Sequence, residues 1–298
     1  MATEQLNPVI QQVLTEENQG HETRKKLFIK LEKEFGRPVV SFFTSFNFPV
    51  MIEDTDADML EGVLQKIDLS QGLVLLLSSP GGISLAAERI INICRCYSKK
   101  DGYWVIVPSK AKSAATMICF GASKIIMSST SELGPIDPQL TTSENGVIKR
   151  YSVYNIVKSY DDLFSKAVEE KGNLQQLSNY DARDIQEFRA ALSLSEDIAL
   201  RTLASGMMQG ISSDDIKKKI GIFLTPESTK THGRPIYINE AINCGFNIEL
   251  KDVKDEVWKL VYELYIRTNN FVSKKVAKCI ESQNHSFVAN IGGERNEQ

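Results

Sequence analysis

Residues 72–82 read GLVLLLSSPGG, and this stretch decides the fold class. The continuous apolar run at 73–77 is typical of a strand that is buried on both faces, as in parallel sheets covered by helices. The turn PGG at 80–82 leads into ISLAAERIINICRCY, whose apolar residues recur at helical spacing. The stretch therefore predicts a strand, a tight turn and a helix in direct succession.

Neighbouring segments repeat this succession of strand and helix. Strand-like and helix-like segments alternate along the chain in the order PVVSFFTSF, ADMLEGVLQKI, GLVLLLSS, ISLAAERIINICRCY, YWVIVPS, AATMICFGA and SKIIMS. Such alternation predicts an α/β fold with a mostly parallel sheet. After about residue 150 the pattern becomes helical. We therefore predict a helical N-terminal extension at 1–38, a core domain at 39–250, and a C-terminal helix with a polar tail at 251–298.

The composition limits the classes of partner. The chain has 298 residues, 42% of them hydrophobic, and a formal charge of −3, so it lacks the basic excess that nucleic-acid binding favours. The polar, acidic N-terminus does not resemble a signal peptide, and no run approaches the ~20 apolar residues of a membrane span. We expect a cytoplasmic protein that meets membranes only through a partner. Its five cysteines include no C-x-x-C pair, which favours reduced thiols and no metal, and we expect no cofactor.

The SSPGG turn is the first candidate for chemistry. Parallel sheets place their ligand crevices at the carboxyl ends of the strands, where this turn lies. Adjacent glycines let backbone N–H groups face such a crevice, and a pair of these donors is what an oxyanion hole requires. The alternative is an ordinary strand-to-helix turn that uses glycine for its geometry.

Ser113, in AKSAA, is the second candidate, because it stands between a predicted strand and a predicted helix. Ala111 and Ala115 occupy the positions that glycines have in the hydrolase elbow G-x-S-x-G. The alternative is a helix N-cap, a role that serine performs well. The S-x-x-K spacing of Ser109 and Lys112 lacks the partner motifs of penicillin-binding proteins, so we give it no weight.

These motifs resemble the Clp-peptidase/crotonase superfamily through SSPGG, AKSAATMICFGASKIIM and SELGPIDPQ. Within it the chain is most similar to the serine dehydrogenase proteinase family, which is related to signal peptide peptidase A and the NfeD-type proteases. The further matches are FPVMIEDTDADML, Gly121 eight residues after Ser113, NIVK and THGRPIYINEAINCGF, between about residues 39 and 250. The resemblance implies a spiral of ββα units with a helical C-terminal region, homo-oligomers, and a serine endopeptidase whose oxyanion hole is formed by Gly82 and Ala114.

One departure from the superfamily concerns the general base. Where the Clp peptidase has its catalytic histidine, this chain reads Ile136-Asp137-Pro138-Gln139. Relatives without that histidine use a lysine, and NIVK favours Lys158 over Lys149. A lysine base has to be neutral, and burial is what lowers a lysine pKa, so we expect Lys158 to be buried. His232, in THGRPI, is the third candidate.

The substrate is expected to be a peptide or an unfolded protein. Gly81, Ile83 and Ser84 are predicted to bind it as an added strand. Two other functions stay open on the sequence alone. The first is a crotonase-like acyl-CoA enzyme, which uses the same kind of oxyanion hole, and the second is a non-catalytic oligomeric scaffold of the same fold.

Overall fold

The computed structural model describes residues 8–15, 20–99, 101–144, 146–169, 174–274 and 276–290. The chain divides into two compact units, which we call the sheet unit (Met1–Leu133 with Ile236–Gln298) and the helical unit (Gly134–Pro235). These units are defined by their compactness, whereas the domain boundaries near residues 38 and 250 were predicted from the sequence pattern. Those boundaries therefore stay predictions. Parts of the predicted N-terminal extension and the end of the predicted polar tail lie outside the described residues.

The sheet unit contains most of the strands. Its strands are β1 (Val39–Thr44), β2 (Leu73–Ser78), β3 (Tyr103–Val107), β4 (Lys110–Ala111), β5 (Lys124–Ser128), β6 (Glu132–Leu133), β9 (Ile236–Tyr237), β10 (Ile248–Lys251), β11 (Val276–Glu281) and β12 (Ser286–Asn290). Its helices are α1 (Pro8–Thr15), α2 (Glu22–Phe35), α3 (Asp54–Leu64), α4 (Ser84–Tyr97), α5 (Ala114–Gly121), α12 (Ile238–Asn243) and α13 (Glu256–Val272).

Seven strands form the main sheet, in the order β10-β5-β3-β2-β1-β11-β12. The pairs from β10 to β1 are parallel, whereas β11 pairs with β1 and β12 in the antiparallel sense. The predicted α/β class is therefore confirmed, and β2 is buried along its whole length as its apolar run requires. The C-terminal region, predicted as a helix with a polar tail at 251–298, also contains β12, an edge strand whose residues alternate between exposed and half-buried.

The hydrophobic core lies between this sheet and a helix pair. Leu27, Phe28 and Leu31 of α2 join Trp258, Val261 and Leu264 of α13 in one buried cluster with side chains from β1, β2, β3 and β5. Because side chains alternate along a strand, Leu75 and Leu77 point to the opposite face of β2 from Val74 and Leu76. The helices α3, α4 and α5 pack successively against one another.

Two buried ion pairs attach β11 to the preceding helices. Arg24 of α2 donates hydrogen bonds of 2.6 Å to both carboxylate oxygens of Glu281, and neither side chain is exposed. Burial disfavours the charged form of Glu281, but hydrogen bonds from Arg24 and Ser286 outweigh burial and lower its pKa. Lys278 Nζ lies 2.9 Å from Asp56 of α3. A C-terminal hairpin is thus joined to helices that lie more than two hundred residues earlier in the chain.

A second, three-stranded sheet has the order β4-β6-β9. The strand β4 follows β3 and leads directly to Ser113, and β6 pairs with it in parallel. This small sheet therefore fixes the segment in front of α5.

The helical unit combines one hairpin with several helices. Its elements are β7 (Gln139–Glu144), β8 (Val147–Ser152), α6 (Val153–Glu169), α7 (Leu174–Leu177), α8 (Ala182–Ala204), α9 (Ser213–Lys219), α10 (Gly221–Leu224) and α11 (Pro226–Thr229). The helix α8 packs against both α6 and α9. The helices follow the predicted pattern, whereas the sequence reading missed the hairpin, whose side chains on β8 are almost all exposed.

We expect Arg24→Met to lower the free energy of unfolding by about 3–5 kcal/mol, because it leaves the Glu281 carboxylate buried without its partner. Urea unfolding measures the change. Arg89→Met is the control in the same unit, since Arg89 pairs with Asp54 and Asp58 at the surface, where ion pairs contribute little. Equal unfolding midpoints for the two variants would show that the buried pair does not hold the hairpin.

Candidate active site

The SSPGG turn and the segment before Ser113 lie side by side. Ser79 N–H donates to Lys110 O at 3.3 Å, and Lys112 N–H donates to Ser79 O at 3.0 Å. Ser79 and Ala111 form an isolated parallel bridge, which continues the β2–β3 side of the main sheet into this loop region. The structure therefore brings together the two motifs that the sequence analysis singled out separately.

Gly81 makes the closest contact between these two segments. Its φ is +99°, and a Cβ built on it would lie 2.5 Å from Lys112 O and 2.6 Å from Ser113 Cβ. Both the dihedral angle and the lack of space exclude any larger residue. Its N–H donates to Ser79 Oγ at 3.1 Å, so the turn is also held by its own side chain.

Ser113 has a backbone conformation that is rare for a residue with a side chain, with φ 52° and ψ −122°. It directly precedes α5, but its side chain makes no capping hydrogen bond, so the helix-cap interpretation fails. A strained, non-glycine residue is a reason to look for function, because the surrounding structure has to hold it in place. A sharp strand-to-helix corner that exposes a serine hydroxyl is the geometry of the nucleophile elbow.

The backbone N–H groups of Gly82 and Ala114, near this corner, have no acceptor in the described part of the sheet unit. Ala114 is the first residue of α5, where a helix leaves its N–H groups unpaired. At Gly82, a Cβ would lie 2.3 Å from both N and O of Ile52, so the Ile52 backbone requires glycine there. These are the two donors that were predicted to form the oxyanion hole.

Some backbone groups of the predicted substrate-binding residues already form hydrogen bonds within the sheet unit. Ile83 N–H donates to Ile52 O at 2.9 Å, and Gly81 O accepts from Ile52 N–H at 2.8 Å. Ser84 is the first residue of α4. Strand addition by a peptide along Gly81, Ile83 and Ser84 stays a prediction, and the N–H groups of Gly81 and Ile83 are already bound.

Gly121, the glycine eight residues after Ser113, has a packing role. A Cβ there would lie 2.2 Å from the hydroxyl of Tyr103 and 2.6 Å from the side chain of Ile91. The buried Tyr103 hydroxyl donates to Ile118 O at 2.7 Å. The glycine therefore lets α5 lie close to α4 and β3, which fixes the helix that begins next to Ser113.

Lys112 is a partly buried lysine that the sequence analysis gave no role. Its Nζ donates to Leu133 O at 2.9 Å and lies 3.0 Å from a carboxylate oxygen of Glu132. Burial lowers the pKa of Lys112, and Glu132 opposes that shift. Because the ammonium group binds β6, Lys112 ties the Ser113 corner to the small sheet.

The helical unit contains a histidine that is held by a carboxylate. His232 Nδ1 and Asp137 Oδ1 are 2.8 Å apart, with Asp137 fully buried and His232 about a quarter exposed. The other carboxylate oxygen of Asp137 accepts from Gln139 Nε2 at 2.7 Å and from Ser152 Oγ at 3.0 Å. A hydrogen bond from Nδ1 to an ionised carboxylate would leave Nε2 of a neutral ring with its lone pair, the arrangement that a histidine base requires.

The two candidate lysines belong to the same unit but are exposed. The expected burial of Lys158 is wrong, since its side chain is half exposed and its Nζ lies 2.7 Å from Glu227 Oε1. The hydrogen bond to Glu227 raises the pKa of Lys158, which is the opposite of what a lysine base requires. Lys149 lies on β8 opposite Thr142, also with an exposed side chain.

The sequence matches the model of a known protein family. The model for ClpP-like SDH-type serine proteinases matches residues 35–280, which is most of the chain. The chain belongs to this family. Its ClpP-like α/β fold agrees with that membership, as does the resemblance drawn from the motifs.

Two relatives of this SDH-type proteinase are uncharacterised proteins of Methanocaldococcus jannaschii. One is 30% identical over 78% of this chain and 68% of its own length. The other is 27% identical over 77% of this chain and 65% of its own length. The chain therefore spans about two thirds of each relative.

Similar solved structures include two of the membrane-bound stomatin-specific protease 1510-N. A lysine-to-alanine mutant in complex with a substrate peptide is 21% identical and covers 73% of this chain and 94% of its own, with a TM-score of 0.30. A serine-to-alanine mutant is 21% identical and covers 69% and 94%, with a TM-score of 0.31. Scores this low support no transfer of detail to the SDH-type chain.

Membrane-spanning helices and metal sites are two further features on which the described residues bear. None of the helices in these ranges is both long and apolar enough to cross a bilayer. In the same part of the chain, no group of histidine, cysteine and carboxylate side chains is arranged to hold a metal ion.

We expect Gly81→Ala to destabilise the protein by about 1–3 kcal/mol, because its methyl group overlaps Lys112 O and the Ser113 side chain. Gly36→Ala is the matched control, since Gly36 also has a positive φ but no neighbouring atom within 4 Å of its built Cβ. Thermal or urea unfolding measures both. A Gly81→Ala variant no less stable than Gly36→Ala would contradict the close contact.

Proposed function

We propose that this protein is a serine endopeptidase in which Ser113 is the nucleophile. The strained conformation of Ser113 carries the proposal, because a serine that only caps a helix has no need of it. Family membership supports the same reaction class. Ser113 Oγ attacks the carbonyl carbon of a peptide bond, and the amine leaves to give an acyl-enzyme that water hydrolyses.

The oxyanion of the tetrahedral intermediate is assigned to the N–H groups of Gly82 and Ala114. Both lack an acceptor within the described part of their unit, and Ala114 also begins a helix, whose positive end favours an anion. Donors that are fixed before the reaction need not reorganise when charge develops, and each contributes about 3–4 kcal/mol at the transition state.

We assign the general base to His232 and its orientation to Asp137. In peptidases of this chemistry, Nε2 of a neutral histidine accepts the proton of the nucleophile and later returns it to the leaving amine, while a carboxylate holds the ring and stabilises the imidazolium. The contacts of Asp137 support this assignment, since a fully buried carboxylate holds the histidine by Nδ1. Asp137, which occupies the place of the Clp histidine in the sequence, then acts through a histidine from much later in the chain.

Lys158 and Lys149 are the alternative bases that the sequence favoured. The Glu227 contact stabilises the charged form of Lys158, so near neutral pH this lysine has no free electron pair to accept a proton. Lys149 also has an exposed side chain, and exposure keeps an ammonium group solvated. The described environment of neither side chain supplies the desolvation that a lysine base needs.

The remaining proposals concern substrate and assembly. We propose peptides and unfolded proteins as substrates, because an extended chain presents its carbonyl groups to the nucleophile. Homo-oligomers, a cytoplasmic location, and contact with membranes only through a partner are proposals that rest on the sequence.

We expect Ser113→Ala and His232→Ala each to lower kcat/KM for casein or an unstructured peptide by at least about 10²–10⁴-fold, the range for loss of a general base. His285→Ala, Lys158→Ala and Lys149→Ala keep the rate of the unchanged protein. If one lysine variant loses activity while His232→Ala stays active, that lysine is the general base and His232 is not. Absence of cleavage in the unchanged protein would favour the non-catalytic scaffold.

Asp137→Asn is expected to lower kcat by about 10²–10⁴-fold with little change in KM, because an amide no longer fixes the tautomer and orientation of His232. Asp161→Asn is the control within the same unit, since Asp161 is exposed and binds only the surface cation Arg189 among the described pairs. Steady-state kinetics on a fluorogenic peptide measures both. Equal kcat values for the two variants would remove Asp137 from the mechanism.

A further inference from the structure

The backbone of Lys112, which directly precedes Ser113, is bound on two sides within the sheet unit. Its N–H donates to Ser79 O at 3.0 Å, and its carbonyl oxygen accepts from Ala115 N–H at 2.9 Å. The same oxygen lies 2.5 Å from a Cβ built on Gly81. The Lys112 backbone is therefore fixed between the turn after β2 and the first turn of α5.

The side chain of Lys112 extends to the middle strand of the small sheet. Its Nζ donates to Leu133 O at 2.9 Å and lies 3.0 Å from a carboxylate oxygen of Glu132, contacts that we call the β6 anchor. Both charged side chains are at most a fifth exposed. The strand β6 pairs with β4 through Lys110 and Glu132, and with β9 through Glu132 and Tyr237. The anchor is therefore attached to a strand that has neighbours on both sides.

The contacts of Lys112 suit an anchor and not a general base, although the residue adjoins the nucleophile. A base needs a neutral amine with a free lone pair. Burial lowers the pKa of Lys112, but the Glu132 carboxylate opposes that change and stabilises the ammonium form. The ammonium group donates to Leu133 O as well. Its hydrogen bonds are therefore made to β6.

The conformation of Ser113 shows why an anchor matters at this position. Its φ of 52° is sparsely populated by residues with a side chain, so the surrounding structure has to hold it. On the C-terminal side α5 follows directly, and Met117 N–H donates to Ser113 O at 3.2 Å. On the N-terminal side the adjacent residue is Lys112. Its side chain adds a contact with a separate strand to the backbone bonds of the corner.

We propose that Lys112 is a positioning residue, whose β6 anchor holds Ser113 and the N–H group of Ala114 in the geometry that the reaction requires. The inference rests on the proposed function, because it concerns the rate of a reaction in which Ser113 is the nucleophile. A displacement of about 1 Å within an active site lowers a rate by about 10²-fold. Loss of the anchor therefore affects catalysis more than it affects substrate binding.

The test measures steady-state cleavage of a fluorogenic peptide by full-length variants. We expect Lys112→Met to lower kcat by about 10–100-fold and to leave KM within about twofold, because the nucleophile is misplaced while the substrate contacts remain. Lys110→Met is the matched control. Lys110 lies two residues earlier, on β4, and its Nζ lies 4.5 Å from the centre of the Phe46 ring. Its removal is expected to leave kcat and KM unchanged.

Two further variants separate positioning from a general loss of stability. Lys112→Cys treated with bromoethylamine regains an ammonium group at nearly the length of lysine, and we expect it to recover most of the lost kcat. The unchanged protein, given the same treatment, controls for alkylation of the exposed Cys96. Glu132→Gln removes the charged partner and is expected to lower kcat, with no further loss when it is combined with Lys112→Met. Glu132→Gln also carries the test if Lys112→Met fails to fold.

An unchanged kcat in Lys112→Met, or a loss that alkylation does not restore and Glu132→Gln does not share, would overturn the positioning role. Failure of the proposed function gives a different result, since the unchanged protein then neither cleaves peptides nor takes up a phosphonate at Ser113. Amide hydrogen exchange of residues 109–120 tests the anchor in that case. Faster exchange in Lys112→Met than in Lys110→Met would support the anchor without the peptidase, and equal exchange would overturn both.

Discussion

The close approach of Gly81 to Ser113 is the constraint on which the rest of the site depends. The backbone of the turn after β2 passes so near Lys112 O and Ser113 Cβ that only glycine fits, and Ile52 imposes the same requirement at Gly82. This packing holds Ser113 at a positive φ that it would not adopt alone. A buried parallel sheet and the small β4-β6-β9 sheet supply the rigidity that such strain requires.

The choice of the general base depends on the burial and the hydrogen-bond partners of each candidate residue. A histidine base needs a fixed ring orientation, and the buried Asp137 carboxylate provides it for His232. A lysine needs desolvation as well, and Lys158 instead has a surface carboxylate that raises its pKa. The physical requirement of each base, more than its place in a motif, separates the candidates.

The sequence predicted the parallel core and the two halves of the Ser113 corner, because buried strands and glycine turns leave local patterns. It did not predict β12, since an edge strand with alternating exposure resembles a polar tail. It predicted a buried Lys158 because a lysine base has to be neutral, whereas the fold places that side chain at the surface beside Glu227. The Asp137–His232 pair joins residues 95 positions apart, and only the fold brings them together. A signal was present, since a carboxylate stood where a base was expected and a histidine remained unused.

The central claim is the proposal that Ser113 is the nucleophile of a serine peptidase, with His232 as the candidate base. Its most direct test is reaction with a fluorophosphonate, followed by peptide mapping in a mass spectrometer. We predict one added phosphonyl group, located on Ser113, with a labelling rate that falls sharply in His232→Ala and is unchanged in His285→Ala. A folded protein that takes up no label at Ser113, or that labels equally fast without His232, would contradict the account.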